Sequence, residues 1–546
     1  MTSELLHLPD GKNITVTPVF GGMGFRSHHH HHDNLLHPFP VGWTTVLHTE
    51  EEPDNFDVVE DHGHESGTPH LAGHVLEEEP RSKRRSRPFR APTLQNDTLF
   101  ISSLSLPSNA EYKPAASPTR EIAMMLWITL YWYFHQPEPD FALDTAACRA
   151  TPQAARPRGE WKIAIKREGV LRGRNLIPKL ERMGLIACED SSVGTNVDGG
   201  DGDWENLFVT RRMFWQMPAQ LFLFSLQPAG RMIASAPGLY STPGSPITSG
   251  PGSPREETKA WHSRTPSGGG TIPSMTAGQP VTDSVGPLSS TTPPPTATLP
   301  LGPYFSSSQL PMYYPPPPLQ YTHTNNIRHP LRPKPPRMGE VFYSRYVDSI
   351  GQYLSLRVAS CSPLPVPYLG PVGPAPPEQS QSQPLSGMSD KELLQSWFQN
   401  SRVKEFWGDY DSDFLEAGLR SKHSFPVIGL WDGVPFGYFE VYWAKEDILG
   451  RHVGNEVADW DRGVHIMIGE EWSRGRVGAW LTSLVHWCFT SDNRTMNVCL
   501  EPRVDNKRVL RHLDRCGFSK EKQVSFPHKQ AWYVKLRREF WDGPEL

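Results

Sequence analysis

The sequence predicts an α+β protein, with a mixed sheet flanked by helices in its last third, an accessory folded unit upstream, and a long disordered linker between them. Two alternating apolar runs, residues 427–431 and 435–443, flank Asp432-Gly433, a pair that tolerates the positive φ angles of a tight hairpin. A third strand-like run, residues 463–469, gives way after Gly475 and Gly478 to the apolar stretch 480–487, so the period changes from strand to helix. The 55 prolines and 45 glycines in 546 residues mean that much of the chain builds no core.

Residues 1–87 mix acidic, histidine-rich and proline-rich pieces without sustained periodicity and are expected to be disordered. The five histidines at 28–32 have no spaced cysteine or carboxylate around them, so they read as low complexity and no metal site is expected. Arg81, Lys83, Arg84, Arg85, Arg87 and Arg90 form a basic cluster, read as a solvated linker edge in preference to a nuclear address.

The accessory unit is placed at residues 88–233. It opens with a strand over 98–106 and a helix over 118–135 capped by Ser117. A second helix over 174–183 stops at Gly184, and Leu207-Phe208-Val209-Thr210 pairs back as a hairpin. That order is winged-helix-like. With Lys162, Lys166, Arg167, Arg172 and Arg174 upstream it raises a DNA-binding reading, yet the same architecture also serves as a packing or protein-contact module.

Residues 234–336 are rich in Pro, Ser, Thr and Gly and read as a linker with polyproline character at 314–319. Its bland role is a spacer, and its alternative is protein contact through a proline-binding module. The last unit, 337–546, begins with a strand over 353–358, is interrupted by the proline-rich 363–386, and resumes with a helix opened by Ser389-Asp390.

A formal charge of −5 gives no general attraction to nucleic acid or anionic membrane. Six separated cysteines without a Cys-x-x-Cys pair argue against a zinc site and a disulfide framework and favour a reducing compartment. No secretory signal opens the sequence, and the longest apolar run, 122–134, is too short to span a bilayer. Its last residues, Gly543-Pro544-Glu545-Leu546, are not a Ser-Lys-Leu type address. The expectation is cytoplasmic.

Three groups of residues carry candidate chemistry. Arg474, Gly475, Arg476 and Gly478 open a helix, where backbone N–H groups and the positive helix end can face a pyrophosphate. On the strand 435–443, Tyr438, Glu440 and Tyr442 share one face while Phe439, Val441 and Trp443 share the other. Glu440 between two aromatics either holds the charged amino end of a small substrate or forms an ion pair with a nearby cation. His465, alternating with Val464 and Ile466, is either a satisfied core residue or an acid–base group.

Taken in order, these segments, Glu501-Pro502-Arg503-Val504-Asp505-Asn506, Leu513-x-x-x-Gly517-Phe518 and Pro527-His528-Lys529-Gln530-Ala531 resemble the GNAT acyltransferases of hydroxamate siderophore synthesis. The resemblance runs from about residue 339 to 541 and includes Trp397, Asn400, Val403 and Trp407. It implies a GNAT sheet, acyl-CoA as co-substrate with no bound cofactor or metal, and acetyl transfer to the hydroxylated side-chain nitrogen of ornithine. It also places the family's catalytic histidine at His465. Bacterial relatives carry an aspartate directly after Glu-Pro, where this chain has Arg503, so Asp505 becomes the candidate orienting acid. Arg474, Gly475, Arg476 and Gly478 become the CoA contacts, although Val477 occupies the slot of the family's second glycine. Glu440, Tyr442 and Trp443 become the substrate contacts. Two rivals remain: hydroxylysine or a longer acyl-CoA as substrate, or a non-catalytic DNA-binding or scaffold protein.

Overall fold

Two sheets carry the described chain, and both follow one plan. The computed structural model describes residues 2–27, 42–51, 85–105, 118–223 (apart from 149, 174 and 189–206), 320–375 and 385–546. The histidine tract, Ser117 and the polyproline run lie outside these residues.

The first sheet contains β1 (Glu4–His7), β2 (Asn13–Val19), β3 (Gly22–Ser27), β4 (Gly42–Glu51), β5 (Arg85–Pro88), β6 (Asp97–Ser105), β7 (Lys162–Ile165), β8 (Ala187–Cys188) and β9 (Leu207–Thr210). Its order is β1-β2-β3-β4-β6-β7-β9-β8, with β5 attached to β4. After the small hairpin of β10 (Tyr321–Thr324) and β11 (Ile327–Pro330), the second sheet contains β12 (Val341–Val347), β13 (Gln352–Val358), β14 (Ser424–Trp431), β15 (Val434–Trp443), β16 (Arg462–Ile468), β17 (Asn497–Leu500), β18 (Ser519–Ser525) and β19 (Gln530–Arg537). Its order is β12-β13-β14-β15-β16-β17-β19-β18.

Apart from β5, the two orders superimpose strand for strand. In each sheet one central pair is parallel, β6 with β7 and β16 with β17, and the other neighbours are antiparallel. A parallel pair needs a crossover. The helix Pro118–Phe134 supplies it in the first sheet and Val477–Ser491 in the second.

The accessory unit is therefore a second copy of the topology of the second sheet, and the winged-helix expectation is corrected. The helix and hairpin that suggested it are the closing elements of both sheets. Leu180-Glu181-Arg182-Met183-Gly184-Leu185 and Leu513-Asp514-Arg515-Cys516-Gly517-Phe518 are matching helix stops. Gly184 and Gly517 take φ of 73° and 88°, and Leu185 and Phe518 each donate a backbone N–H to Leu180 and Leu513 respectively. Left-handed φ is cheap only without a Cβ. The helix Ile177–Arg182 buries Ile177 and Leu180, while Lys166 pairs with Glu50 at 2.8 Å.

The disorder expected over 1–87 is corrected as well, since β1 to β4 lie there. Leu6, Leu8, Ile14, Val16, Met23, Phe25, Trp43 and Leu47 are buried. Buried Ile14 and Val16 alternate with Thr15 and Thr17, and Met23 and Phe25 flank Gly24, a short local signal set among acidic and proline-rich pieces. Within the expected linker, β10 and β11 turn at Asn325-Asn326, and Arg332 just beyond them forms a bidentate pair with buried Glu446 at 2.8 and 2.9 Å.

In the second sheet the predicted Asp432-Gly433 turn joins β14 to β15 with φ of 47° and 87°. The helices Asp390–Phe398, Ser401–Trp407 and Phe414–Arg420 accompany one face, against Tyr438. The helix Val477–Ser491 covers the other, with Trp480 on Phe439. Both sheets contribute to one continuous core. Across it, the Tyr353 hydroxyl donates to the Leu8 carbonyl at 3.0 Å, and Trp215 meets His486 edge to face.

Leu8 is 0% exposed, so Leu8→Ala is expected to lower unfolding free energy by about 2–5 kcal/mol in chemical denaturation. An unchanged midpoint would mean that β1 and its following turn contribute no core.

Candidate active site

The parallel pair at the centre of the second sheet is short. β16 meets β17 only at Arg462–Val498 and Gly463–Cys499, and beyond these the strands diverge although β16 continues to Ile468. Divergence leaves a wedge in the sheet. His465 projects at its apex, two residues past the last pair, on the face occupied by Tyr438, Glu440 and Tyr442.

His465 is held on both sides. Its Nδ1 lies 2.9 Å from Glu440 Oε2, directly opposite on β15, and its Nε2 lies 2.7 Å from Glu501 Oε1, just past the end of β17. Each carboxylate has a phenol behind it: Tyr438 donates to Glu440 Oε1 at 2.9 Å and Tyr442 to Glu501 Oε2 at 2.8 Å. Lys529 completes the set, donating to the Glu501 carbonyl at 3.0 Å with Nζ 3.5 Å from its carboxylate. The carboxylates sit on opposite ring nitrogens, so the three groups do not converge on a metal-sized point, and no such cluster occurs among the described residues.

The electrostatics follow. Burial alone would push the His465 imidazolium towards neutrality, but the Glu501 charge and the hydrogen bonds to both carboxylates overcome it and raise its pKa well above 6.5. Burial would likewise raise Glu501, and the His465 charge and hydrogen bond, Lys529 and Tyr442 hold it down to about 2. At neutral pH His465 is an imidazolium held against the Glu501 carboxylate. Trp407 borders it, its ring edge-on to His465 and its Nε1 donating to the Ile466 carbonyl at 3.3 Å.

The remaining sequence candidates separate. Asp505 is exposed and paired with Arg503, so it does not meet His465; Glu501, four residues earlier in the same motif, does. Tyr442 acts through Glu501, with its ring 4.5 Å from that of His465. Trp443 faces the opposite side, where the Arg462 guanidinium stacks on it. Sequence reasoning missed Glu501, Lys529 and Trp407 as site residues, although each lay inside a quoted motif.

On the far face, Arg474 and Gly475 lead into the helix Val477–Ser491. A Cβ at Gly475 would meet nothing within 4 Å, which leaves the backbone open to a ligand. Gly478 has a different neighbour, since a Cβ there would collide with the Glu545 carboxylate. Arg476 is committed to Gln352 at 2.6 Å and to the rings of Trp431 and Trp472. Arg474 is drawn down by burial and then by the like charges of Arg402 and Arg508. Such crowding of cations at a helix N-terminus suits a polyanion.

Among the described residues, the first sheet has no equivalent site. Counting two residues past its last parallel pair, Ile101 stands where His465 stands and Arg167 where Glu501 stands, and Thr45 opposes Ile101 as Glu440 opposes His465. The segment Gly169–Arg172 fills its wedge, with Leu171 buried and Gly169 so close that a Cβ would strike the Ile101 carbonyl.

Two pH limbs follow from the clamp. The depressed Glu501 contributes stability that is complete above its ordinary value of 4.5 and is lost as pH falls towards about 2. The raised His465 contributes stability that is complete below its ordinary 6.5 and is lost as pH rises through its elevated value. Glu501→Gln, which leaves half-buried His465 with Glu440 as its remaining carboxylate, is expected to cost about 1–3 kcal/mol in denaturant unfolding near neutral pH and to flatten the acid limb. A variant with wild-type stability and the same acid limb would contradict the clamp.

Comparison with known proteins agrees with this architecture. The acetyltransferase (GNAT) domain family matches residues 387–526. The N5-hydroxyornithine acetylase sidL of Beauveria bassiana is 55% identical over 547 residues, covering 97% of this chain and 100% of its own length. The N(6)-hydroxylysine O-acetyltransferase of Escherichia coli is 36% identical over 39% of this chain and 60% of its own length. The hydroxyornithine transacylase SID3 of Ajellomyces capsulatus is 30% identical over 43% of this chain and 50% of its own length. The chain belongs to the GNAT acetyltransferases, in the family of the Beauveria bassiana N5-hydroxyornithine acetylase.

Proposed function

We infer that the protein transfers acetyl from acetyl-CoA to the hydroxylated side-chain nitrogen of ornithine, giving a hydroxamate. The likeness to a hydroxyornithine acetylase over the whole chain supports this reading, and the site's protonation carries it. With an N–H committed on each side, His465 offers no free lone pair to strip a proton from an ammonium group. The side-chain amine of ornithine resembles lysine, whose ordinary pKa is about 10.4, and is almost wholly protonated at neutral pH. A hydroxylamine is mostly neutral there, because its oxygen withdraws electron density from nitrogen. The site suits a nucleophile that arrives with its lone pair free.

The two faces of the sheet divide the work. Arg474, Gly475 and the helix N-terminus, with Arg402 and Arg508 nearby, would hold the CoA phosphates on one face. The thioester arm would reach through the wedge to His465, and the acceptor would approach over Tyr438, Glu440 and Trp407 on the other. Holding both in this geometry turns the encounter into an effectively unimolecular step. Acetyl as the acyl group and ornithine as the amino acid rest on the full-length relative. No helix among the described residues is long and apolar enough to cross a membrane, and the cytoplasm is the compartment we propose. Residues in the proline-rich linker are proposed as a spacer between the two copies of the fold.

The reading is tested by following CoA thiol release with N5-hydroxyornithine and with ornithine from neutral pH to about pH 10, near the amine pKa. Ornithine should react at a small fraction of the hydroxyornithine rate at neutral pH and rise as its amine loses its proton, while hydroxyornithine changes far less. Equal neutral-pH rates on both amines would remove the hydroxylated-substrate reading.

A further inference from the structure

The two carboxylates that clamp His465 are not equivalent. Glu501 is 4% exposed and is matched by His465, Tyr442 and Lys529. Glu440 is 21% exposed, and its outer oxygen, Oε1, receives only the Tyr438 hydroxyl among the described hydrogen bonds. It also lies on the face where Trp407 and the helices preceding β14 form the acceptor side. An ionised carboxylate only accepts hydrogen bonds, so two of them on one imidazole require two N–H protons and leave the ring no basic nitrogen.

We propose, resting on the hydroxylated-amine reading, that Glu440 is the catalytic proton acceptor and that His465 is a positioning residue, holding Glu440 against the wedge and linking it to Glu501. In the step, the hydroxylamine nitrogen lone pair forms the C–N bond and the carbonyl π pair moves to oxygen. The N–H proton passes to Glu440 Oε1. The oxygen pair then re-forms the carbonyl, the C–S bond breaks, and CoA leaves as a thiolate, which takes up the proton that Glu440 gives back, directly or through water. The products are the hydroxamate and CoA thiol, with no oxidant or reductant involved. The titratable and charged groups around Glu440 are Tyr438 and Tyr442 on its own strand, His465 on β16, Glu501 beyond β17 and Lys529 between β18 and β19.

The test measures kcat and KM against pH for the full chain and for Glu440→Gln, Glu440→Asp and His465→Gln, with acetyl-CoA and N5-hydroxyornithine. Glu440→Gln should lower kcat by about 100-fold to 10,000-fold, leave the acetyl-CoA KM within a few-fold, and abolish the acidic limb of kcat/KM. Glu440→Asp should restore part of kcat and the limb. His465→Gln, which can still donate an N–H to a carboxylate, should lose less than Glu440→Gln and keep the limb. A Glu440→Gln enzyme within about fivefold of wild type, or a limb lost with His465→Gln and kept with Glu440→Gln, would overturn the assignment and make the histidine the base. If Glu440→Gln does not fold, the pH profile of His465→Gln decides, because loss of the acidic limb in that variant would overturn the assignment. Failure of the substrate reading is separate: the wild type would then be inactive on hydroxyornithine but active on another amine, and the same variants tested on that amine would still judge Glu440.

Discussion

A single protonated imidazole, gripped by two carboxylates at the point where β16 and β17 part, organises the catalytic half of the chain. The divergence removes backbone hydrogen bonds from the middle of a sheet, and His465 with Glu440 and Glu501 replaces part of that connection with charge. Three strands are tied together across the gap. A buried ionic unit repays its desolvation only when the geometry is good and the remaining lone pairs are satisfied. Tyr438, Tyr442 and Lys529 supply that satisfaction. The same constraint selects the chemistry, because a site whose histidine already carries its proton favours an acceptor that needs no deprotonation before attack.

The first sheet explains how such a site is supported. It repeats the topology but closes its own wedge with residues 169–172, so it supplies surface in place of chemistry. That surface abuts the helix Val477–Ser491, the element whose N-terminus is proposed to hold the donor. Trp215 meets His486 on this helix, and Gln216 donates to the Arg538 carbonyl at 3.1 Å. On the same helix Ser483 accepts from buried Arg345, which also donates to the Glu545 carbonyl at 2.6 Å. The helix is thus fixed along its length by the sheet, the first copy of the fold and the last residues of the chain.

Much of the catalytic half was legible in the sequence. The Asp432-Gly433 turn, the alternation through β15 and β16 and the change of period at the 477–491 helix each have a local physical cause. The site was legible in part. His465 and Glu440 stood on two predicted strands, but their direct pairing depends on the register between β15 and β16, which no local pattern fixes. Asp505 was chosen as the carboxylate nearest Arg503, which stands where bacterial relatives carry an aspartate; Glu501 lies on the same alternation, and only the strand's end decides which carboxylate reaches the wedge. The first copy was hidden for a different reason. Its first strands are set among acidic and proline-rich pieces, and its last helix and hairpin mimic a winged helix when taken alone. The repeated helix stop at Gly184 and Gly517 was the available signal.

The central claim is the protonation state of His465, and nitrogen-15 NMR of the imidazole in the full-length protein measures it most directly. The account predicts that both ring nitrogens carry protons near neutral pH and that the ring titrates well above the ordinary histidine value of 6.5. A neutral ring near pH 7 with one unprotonated nitrogen, titrating at or below about 6.5, would contradict the clamp and return the base role to the histidine.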